Sequence, residues 1–419
     1  MSHNSTFKQN GQDQPGILHV GVDLALEKNM VIVINEKAER LDRFSFLQDR
    51  GGYDFFFRRV ETIRQKQKAS GVVVAMEPTN YFWKLLARGA EERQIPYRLV
   101  NAYTVKKHRE GNQLETSKDD SRDARQIAEL SRTGHTTETH LHKGMYEELR
   151  QYATLHAQLI QAIRREKQVI SGLVGQAFPE LIQVFNDLEG KTSRAVLESC
   201  GCAAAIRQRT EEKFLAEVRA AFTGKRLMIS RIRYTYQLAA TSIGLTDGLQ
   251  ALQMAIRLHF SQLDSLQAQL EQVLQALTTC LADLPEAPYL LSMASMKAPT
   301  VALFLAEIGD PKRYRTAEQW VKLAGIQPVP NTSGKKQLSK TPMSHHGRAR
   351  LRTLLYFTCL RLVHQDVLFA RLYAHLHRRP KNPLTKMQAL GVLMNKLLHI
   401  LWALVHNQTT YNPSFAQPI

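Results

Sequence analysis

"ILHVGVDLALEKNMVIVIN", residues 17–35, holds two short apolar runs on either side of a polar turn. Each run is rich in Val and Ile and too short for a helix, so each reads as a strand. Working outward, "RLDRFSFLQ" (40–48) reads as a third strand and "GYDFFFRRVETIRQKQKA" (52–69) as a helix. The apolar run "GVVVAMEP" (71–78) is a buried strand, "NYFWKLLARGAEERQ" (80–94) a helix and "YRLVNA" (97–102) another strand. The Asp-rich segment "SKDDSRDARQIAEL" (117–130) introduces a further helix. The order βββαβαβα joins a three-strand meander to β–α alternation.

That is the order of a ribonuclease-H-like domain, and its carboxylates sit at informative places. Asp23 follows the alternation Val20–Val22 in the first strand, and Glu77 ends the apolar strand at 71–78. In a mixed sheet of this order the two strands are neighbours, so both acids emerge at one sheet edge. Asp120 and Asp123 are three apart, which places them on one helix face. Asp119 competes with Asp120 but lacks that spacing to Asp123. Four carboxylates from two strands and a helix repel one another unless a cation lies among them. Oxygen ligands of this kind suit Mg²⁺ or Mn²⁺, which bind a few carboxylates together with water and phosphate. Two ions about 3.5–4 Å apart clamp the attacking and leaving oxygens in phosphoryl transfer.

The chain has 419 residues and 43% hydrophobic residues, enough for two or three folded domains. Lys and Arg outnumber Asp and Glu by 56 to 38, a net charge of +18. Such a surplus favours a polyanionic partner through phosphate neutralisation, and argues against a disordered acidic protein. Four scattered cysteines (Cys200, Cys202, Cys280, Cys359) do not complete a zinc site. Residues 1–16 are polar and read as a disordered tail without a secretory signal. The apolar stretch at 397–405 is half the length needed to span a membrane. The expectation is a cytoplasmic protein with no membrane partner.

Beyond the α/β domain, placed at 17–143, the pattern turns helical. Leu249, Leu252, Ile256, His259, Leu263, Leu266, Leu270, Val273 and Leu277 alternate by three and four, with His259 the one polar member. A weaker seam through Leu149, Tyr152, Leu159, Ile163, Ile170 and Leu173 is interrupted by His156 and Glu166. Two long coiled-coil helices over 144–285, carrying a helical insertion at about 178–248, are therefore expected. They can pair within one chain or across a dimer. A mainly helical C-terminal domain, 286–419, comes next, with a Gly/Pro-punctuated polar loop at 325–347. The fold class is α/β plus α.

At this point the sequence resembles a known family, the DEDD-type insertion-sequence transposases, bridge-RNA-guided recombinases related to pilin-gene invertases. The matching residues are "GVD" (21–23), "MEPTNYFW" (76–83), "VNAYTVKKHRE" (100–110), "KDDSRDARQIAEL" (118–130), "LAEIGDPKRY", "LAGIQPVPNTSGKK" and "GRARLRTLLY". The resemblance implies a RuvC-type metal site with Asp23, Glu77, Asp120 and Asp123 as both ligands and catalytic acids. It also implies a C-terminal transposase domain whose serine, here Ser333, attacks DNA and forms a covalent phosphoserine intermediate. Ser339 and Ser344 are rival hydroxyls. A serine needs activation by a base, a metal or a neighbouring charge. The implied partners are donor and target double-stranded DNA, a structured non-coding bridge RNA as guide, and further copies of the chain in a dimer or tetramer. The implied location is the bacterial cytoplasm, associated with the nucleoid.

The resemblance has two departures. A glycine-bearing hairpin is replaced by "SMASMKAPTV", which puts a helix-hairpin-helix grip in doubt, and a common "SKRG" is "SHHG" (344–347), with His345 and His346 in place of a cationic pair. Basic segments supply the expected nucleic-acid surface. They contain Lys106, Lys107, Arg109 and Lys118, then Lys335 and Lys336, then Arg348, Arg350 and Arg352, and finally Arg378, Arg379 and Lys381. Such cations contact backbone phosphate more often than bases. Two other functions fit the same residues: a structure-selective RuvC-type nuclease that uses water, and a non-catalytic nucleic-acid scaffold.

Overall fold

The computed structural model describes residues 16–78, 81–101, 120–138, 140–329, 332–333, 336–337 and 343–413. The chain divides into two compact units, 1–141 and 142–419.

The first unit is built on a mixed sheet. Its elements are β1 (Ile17–Asp23), β2 (Lys28–Ile34), β3 (Arg40–Leu47), α1 (Arg50–Lys66), β4 (Gly71–Met76), α2 (Phe82–Glu92), β5 (Tyr97–Leu99), α3 (Asp120–Arg132) and β6 (Thr137–Glu138). The strand order is β3-β2-β1-β4-β5-β6. β1, β4 and β5 run parallel, while β2, β3 and β6 are antiparallel to their neighbours. The two-residue β6 was not anticipated. Alternation along the strands sends side chains to two faces. Val20, Val22, Val72, Val74 and Met76 meet Phe56, Phe57, Val60, Leu86 and Ala90 in the core under α1 and α2. The opposite face packs on α3, with Ile32 and Ile34 against Ala124 and Ala128, and Ala75 against Ile127 and Leu130. Asp49 caps α1 by accepting from the Gly52 amide.

Among the described residues, the second unit is helical apart from one small ladder and one isolated bridge. α4 (Met145–Ala177) and α8 (Leu249–Ala282) are its long helices. The bond from Leu245 to the Gln176 carbonyl joins the end of α4 to the start of α8, and Tyr146 reaches Glu286 at the other end, so the two run antiparallel. They pair within the chain, and the expected seam positions Ile256, Leu263, Leu266, Val273 and Leu277 are buried with Leu149, Leu159, Ile163 and Ile170. Two of the three polar interruptions meet each other: His259 Nδ1 lies 2.7 Å from the Glu166 carboxylate. Between them the insertion folds as α5 (Lys191–Cys200), α6 (Glu211–Ala221) and α7 (Ile229–Thr241), with shorter turns.

The chain continues through α9 (Ala298–Ile308), α10 (Ala317–Ala324), the ladder β7 (Thr332–Ser333) and β8 (Lys336–Gln337), then α11 (Ala349–Gln365), α12 (Val367–Arg378) and α13 (Lys386–Asn407). These helices share one core with α4 and α8. The sequence-based boundary at 285/286 therefore falls inside a unit. Tyr146 bonds Glu286 at 2.9 Å and Arg150 bonds Glu307 at 2.7 Å, tying α4 to the segments beyond α8. α13 is long and apolar enough to cross a membrane, which the nine-residue stretch at 397–405 had understated. Its buried face, including Leu393, Leu397, Leu401 and Leu404, belongs to the core.

Candidate active site and nucleic-acid surface

Strand register brings two of the sequence-predicted acids together. Gly21 faces Ala75 and Val22 faces Met76, so Asp23 and Glu77 are the next residues out of adjacent parallel strands. Parity places both on the α3 side, because Gly21 and Ala75, two residues earlier, face that helix. α3 runs antiparallel to β1: Gly21 lies under Ala124 and Ala128, and His19 Nδ1 is 3.0 Å from Ser131 Oγ further down. The N-terminal turn of α3 therefore ends beside Asp23. Asp120 is its first residue and Asp123 its fourth.

Gly21 makes this approach possible. A Cβ there would stand 2.0 Å from the Ala124 carbonyl oxygen and 2.5 Å from the Ala128 nitrogen. Only a residue without a side chain lets the helix backbone rest on the strand. Asp23, Glu77 and Asp123 are each half-buried, so water reaches them. The helix N-terminus carries partial positive charge, which lowers the cost of acids at that end. Asp119 lies outside the described residues, and of Asp120 the backbone alone is described.

The donor set is all carboxylate oxygen, which fits a hard divalent cation rather than zinc. Among the described residues, no three His, Cys, Asp or Glu side chains lie close enough to hold an ion by themselves. That is compatible with Mg²⁺-type binding, in which one or two carboxylates act with water and substrate phosphate.

In the second unit, Ser333 ends β7 and pairs with Lys336, so two residues separate the paired positions. Lys335 and Ser339 lie outside the described residues, as do Lys106, Lys107, Arg109 and Lys118. Ser344 sits at the foot of the same loop, where its amide bonds the Gln327 carbonyl and its hydroxyl accepts from the His346 amide. The glycine-poor "SMASMK" segment still joins two helices, the short Ala287–Leu291 and α9.

The cations expected to meet nucleic acid fall into two groups. Arg350, Arg378 and Lys381 are exposed. Arg348 points inward instead: it bonds the Glu307 carbonyl and stands 3.9 Å from the buried Glu307 carboxylate. Burial, and then the Arg150 guanidinium, pull its pKa down from the usual arginine range. Arg352 donates to the Ala324 carbonyl at 2.8 Å, and Arg379 to that of Asn382 at 2.7 Å. Sequence reasoning missed Glu307 and Arg150, and it missed how the charge is distributed. Residues 319–419 contain fourteen Lys and Arg and a single acid, Asp366. That segment's surplus of thirteen supplies most of the net +18.

Comparison with known proteins now bears on these two regions. A family model for DEDD-type IS110 elements, described as "Transposase", matches residues 20–179, which hold all four candidate acids. A second, described as "Transposase IS116/IS110/IS902 family", matches residues 287–374, which hold Ser333. The chain belongs to the IS110 transposase family. It is also similar to a "Probable family 20 transposase" of Pseudomonas aeruginosa, 30% identical over 129 residues. That alignment covers 30% of this chain and 36% of the relative, so the chain matches about a third of that protein's length.

Proposed function

We propose that this protein is a DNA transposase that excises and inserts its own insertion sequence. The observation that carries the reading is the convergence of Asp23, Glu77 and the start of α3 at one edge of the sheet, in a unit whose strand order suits a ribonuclease-H-like, RuvC-type domain. Asp23, Glu77, Asp120 and Asp123 would hold Mg²⁺ or Mn²⁺, and the bound cation would neutralise phosphate charge and stabilise the developing oxyanion. Ser333 is the nucleophile in this reading. Its Oγ–phosphorus bond forms as the bond from phosphorus to a deoxyribose oxygen breaks. The serine proton passes to a nearby base, and the departing oxygen leaves as a hydroxyl that later reverses the step. The exposed Arg350, Arg378 and Lys381 hold backbone phosphates of DNA or of a bridge RNA. Guidance by such an RNA would account for site choice, and paired-strand chemistry favours a dimer or tetramer.

The test is a covalent adduct. The protein, co-expressed with the DNA flanking its gene, is incubated with Mg²⁺ and labelled donor and target DNA, then run on a denaturing gel. An adduct formed by the wild type and lost in Ser333→Ala supports serine attack. Mg²⁺-dependent cleavage with no adduct, unchanged in Ser333→Ala, assigns the chemistry to water. That second reading, a RuvC-type nuclease, draws on the fact that all four candidate acids lie in the first unit while Ser333 lies in the second.

A further inference from the structure

The loop carrying Ser333 leaves the helical core between α10 and α11, and its two feet are bound closely to each other. The Ser344 amide donates to the Gln327 carbonyl at 2.9 Å, that of His345 to Gly325 at 3.0 Å and that of Arg348 to Leu323 at 2.8 Å. Pro328 and Met343 form the next bridge outward. The feet touch at two glycines. A Cβ on Gly347 would lie 2.4 Å from the Gly325 nitrogen, and Gly325 itself adopts a left-handed φ of +66°.

Two arginines from the start of α11 reach back over this knot. The end of an α-helix leaves carbonyl oxygens without partners and carries partial negative charge, so a guanidinium there is doubly favourable. Arg348 takes the Glu307 carbonyl, one residue from the end of α9. Arg352 takes the Ala324 carbonyl, the last of α10, and its Nη1 also lies 3.5 Å from the His345 carbonyl on the opposite foot. Arg352 therefore touches both feet of the loop at once.

We propose that Arg352 is a positioning residue that ties the two feet of the 325–347 loop and so aims Ser333, rather than a ligand for nucleic-acid phosphate. The consequence for Ser333 rests on the serine reading under Proposed function, but the clamp itself does not. The sequence alone pointed the other way, because Arg352 lies in the basic run "RARLR".

The experiment combines hydrogen exchange with DNA binding on the full-length chain. In Arg352→Ala, the Ser344 and His345 amides are expected to exchange roughly tenfold faster, the effect of losing one charge-assisted hydrogen bond. The salt dependence of DNA affinity is expected to stay unchanged, and adduct formation to fall about a hundredfold for a loop misplaced by about an ångström. Millimolar guanidinium should restore part of the adduct yield. Unchanged exchange, with a salt slope lower by about 0.9, would instead make Arg352 a phosphate ligand and overturn the proposal. Should the alanine variant not fold, Arg352→Lys serves. It keeps the charge, so only the clamp predicts faster exchange at Ser344 and His345. Ser333→Ala separates the two ideas: if it retains strand joining, the serine reading fails, while the exchange result still decides the clamp.

Discussion

Gly21→Ala is the substitution whose effect the fold specifies most closely. The new methyl would stand 2.0 Å from the Ala124 carbonyl oxygen, 2.5 Å from the Ala128 nitrogen and 2.9 Å from the Ala128 Cβ. Two of these are backbone atoms in the middle of a helix, so no rotamer change relieves the clash. Ordinary contact begins at 3.4 Å, so α3 must retreat by about 1.4 Å. Overpacking of this kind costs about 2 kcal/mol in stability, or ~10 °C in the melting of the first unit. The chemical penalty is larger in proportion. α3 carries Asp120 and Asp123, and a displacement of about 1 Å in a catalytic group costs on the order of a hundredfold in rate. The assay is Mg²⁺-dependent strand cleavage at saturating DNA, beside a thermal melt. Ala128→Gly is expected not to rescue, because the closest contact is with the Ala124 carbonyl. Cleavage within threefold of wild type and an unshifted melt would refute the claim that α3 is seated by this glycine.

Three further outcomes are expected. Asp23→Asn and Glu77→Gln should each lower metal-dependent cleavage by about a thousandfold while leaving the melting temperature within a few degrees, since both acids are half-buried at a sheet edge; retention of a tenth of the activity by either would count against its role. Replacing His259 by Leu should cost about 1 kcal/mol in denaturant unfolding by leaving Glu166 in the seam without its hydrogen-bond partner, and adding Glu166→Leu should recover it, as apolar replacement of both members of a polar pair often does; additive single effects would refute the coupling. Burial, then the Arg348 and Arg150 guanidinia, push the His142 imidazole down to about 4 from 6.5. Its folded-state pKa is depressed, so its contribution is fully present above pH 6.5 and is lost as pH falls toward 4. Discounted for partial exposure, the loss is about 2 kcal/mol, and His142→Phe should flatten that acid limb in pH-dependent melts.

The first unit was legible because its elements have different periods. β1, β2 and β4 are short runs of Val and Ile, and α1 and α2 bury one face, so strand order could be read from the sequence with errors of a few residues at the ends. The two-residue β6 has no period to detect. Asp23 and Glu77 were legible as strand-end acids, but which side of the sheet they occupy depends on parity, and Gly21 fixed that through a contact made a hundred residues away. The boundary read near 286 lies where the second family match begins, at 287, yet it falls inside one compact unit because α9 packs against α4 and α8 before it and α11 after it, and composition does not change where packing continues. The arginines were hardest to read. Arg348 and Arg352 stand beside Arg350 in one basic run, yet both serve carbonyl oxygens at helix ends. A partner that is backbone leaves no trace in the sequence, so charge alone could not separate a cap from a phosphate contact.

The distribution of charge also answers why a basic protein keeps a cluster of acids. Residues 1–141 hold 22 Lys and Arg against 19 Asp and Glu, close to balance, whereas residues 319–419 hold fourteen against one. The surplus that attracts a polyanion thus comes mostly from the C-terminal segment, while the acids at the start of α3 sit at a helix N-terminus, whose dipole stabilises anions. The two attractions then respond differently to conditions. Binding of a polyanion by the exposed cations weakens steeply as salt rises, through counterion release. Coordination of a divalent ion by half-buried carboxylates is screened less, because the interacting charges lie closer together than a Debye length of about 10 Å at 0.1 M salt. Raising salt should therefore remove DNA from this protein before it removes metal.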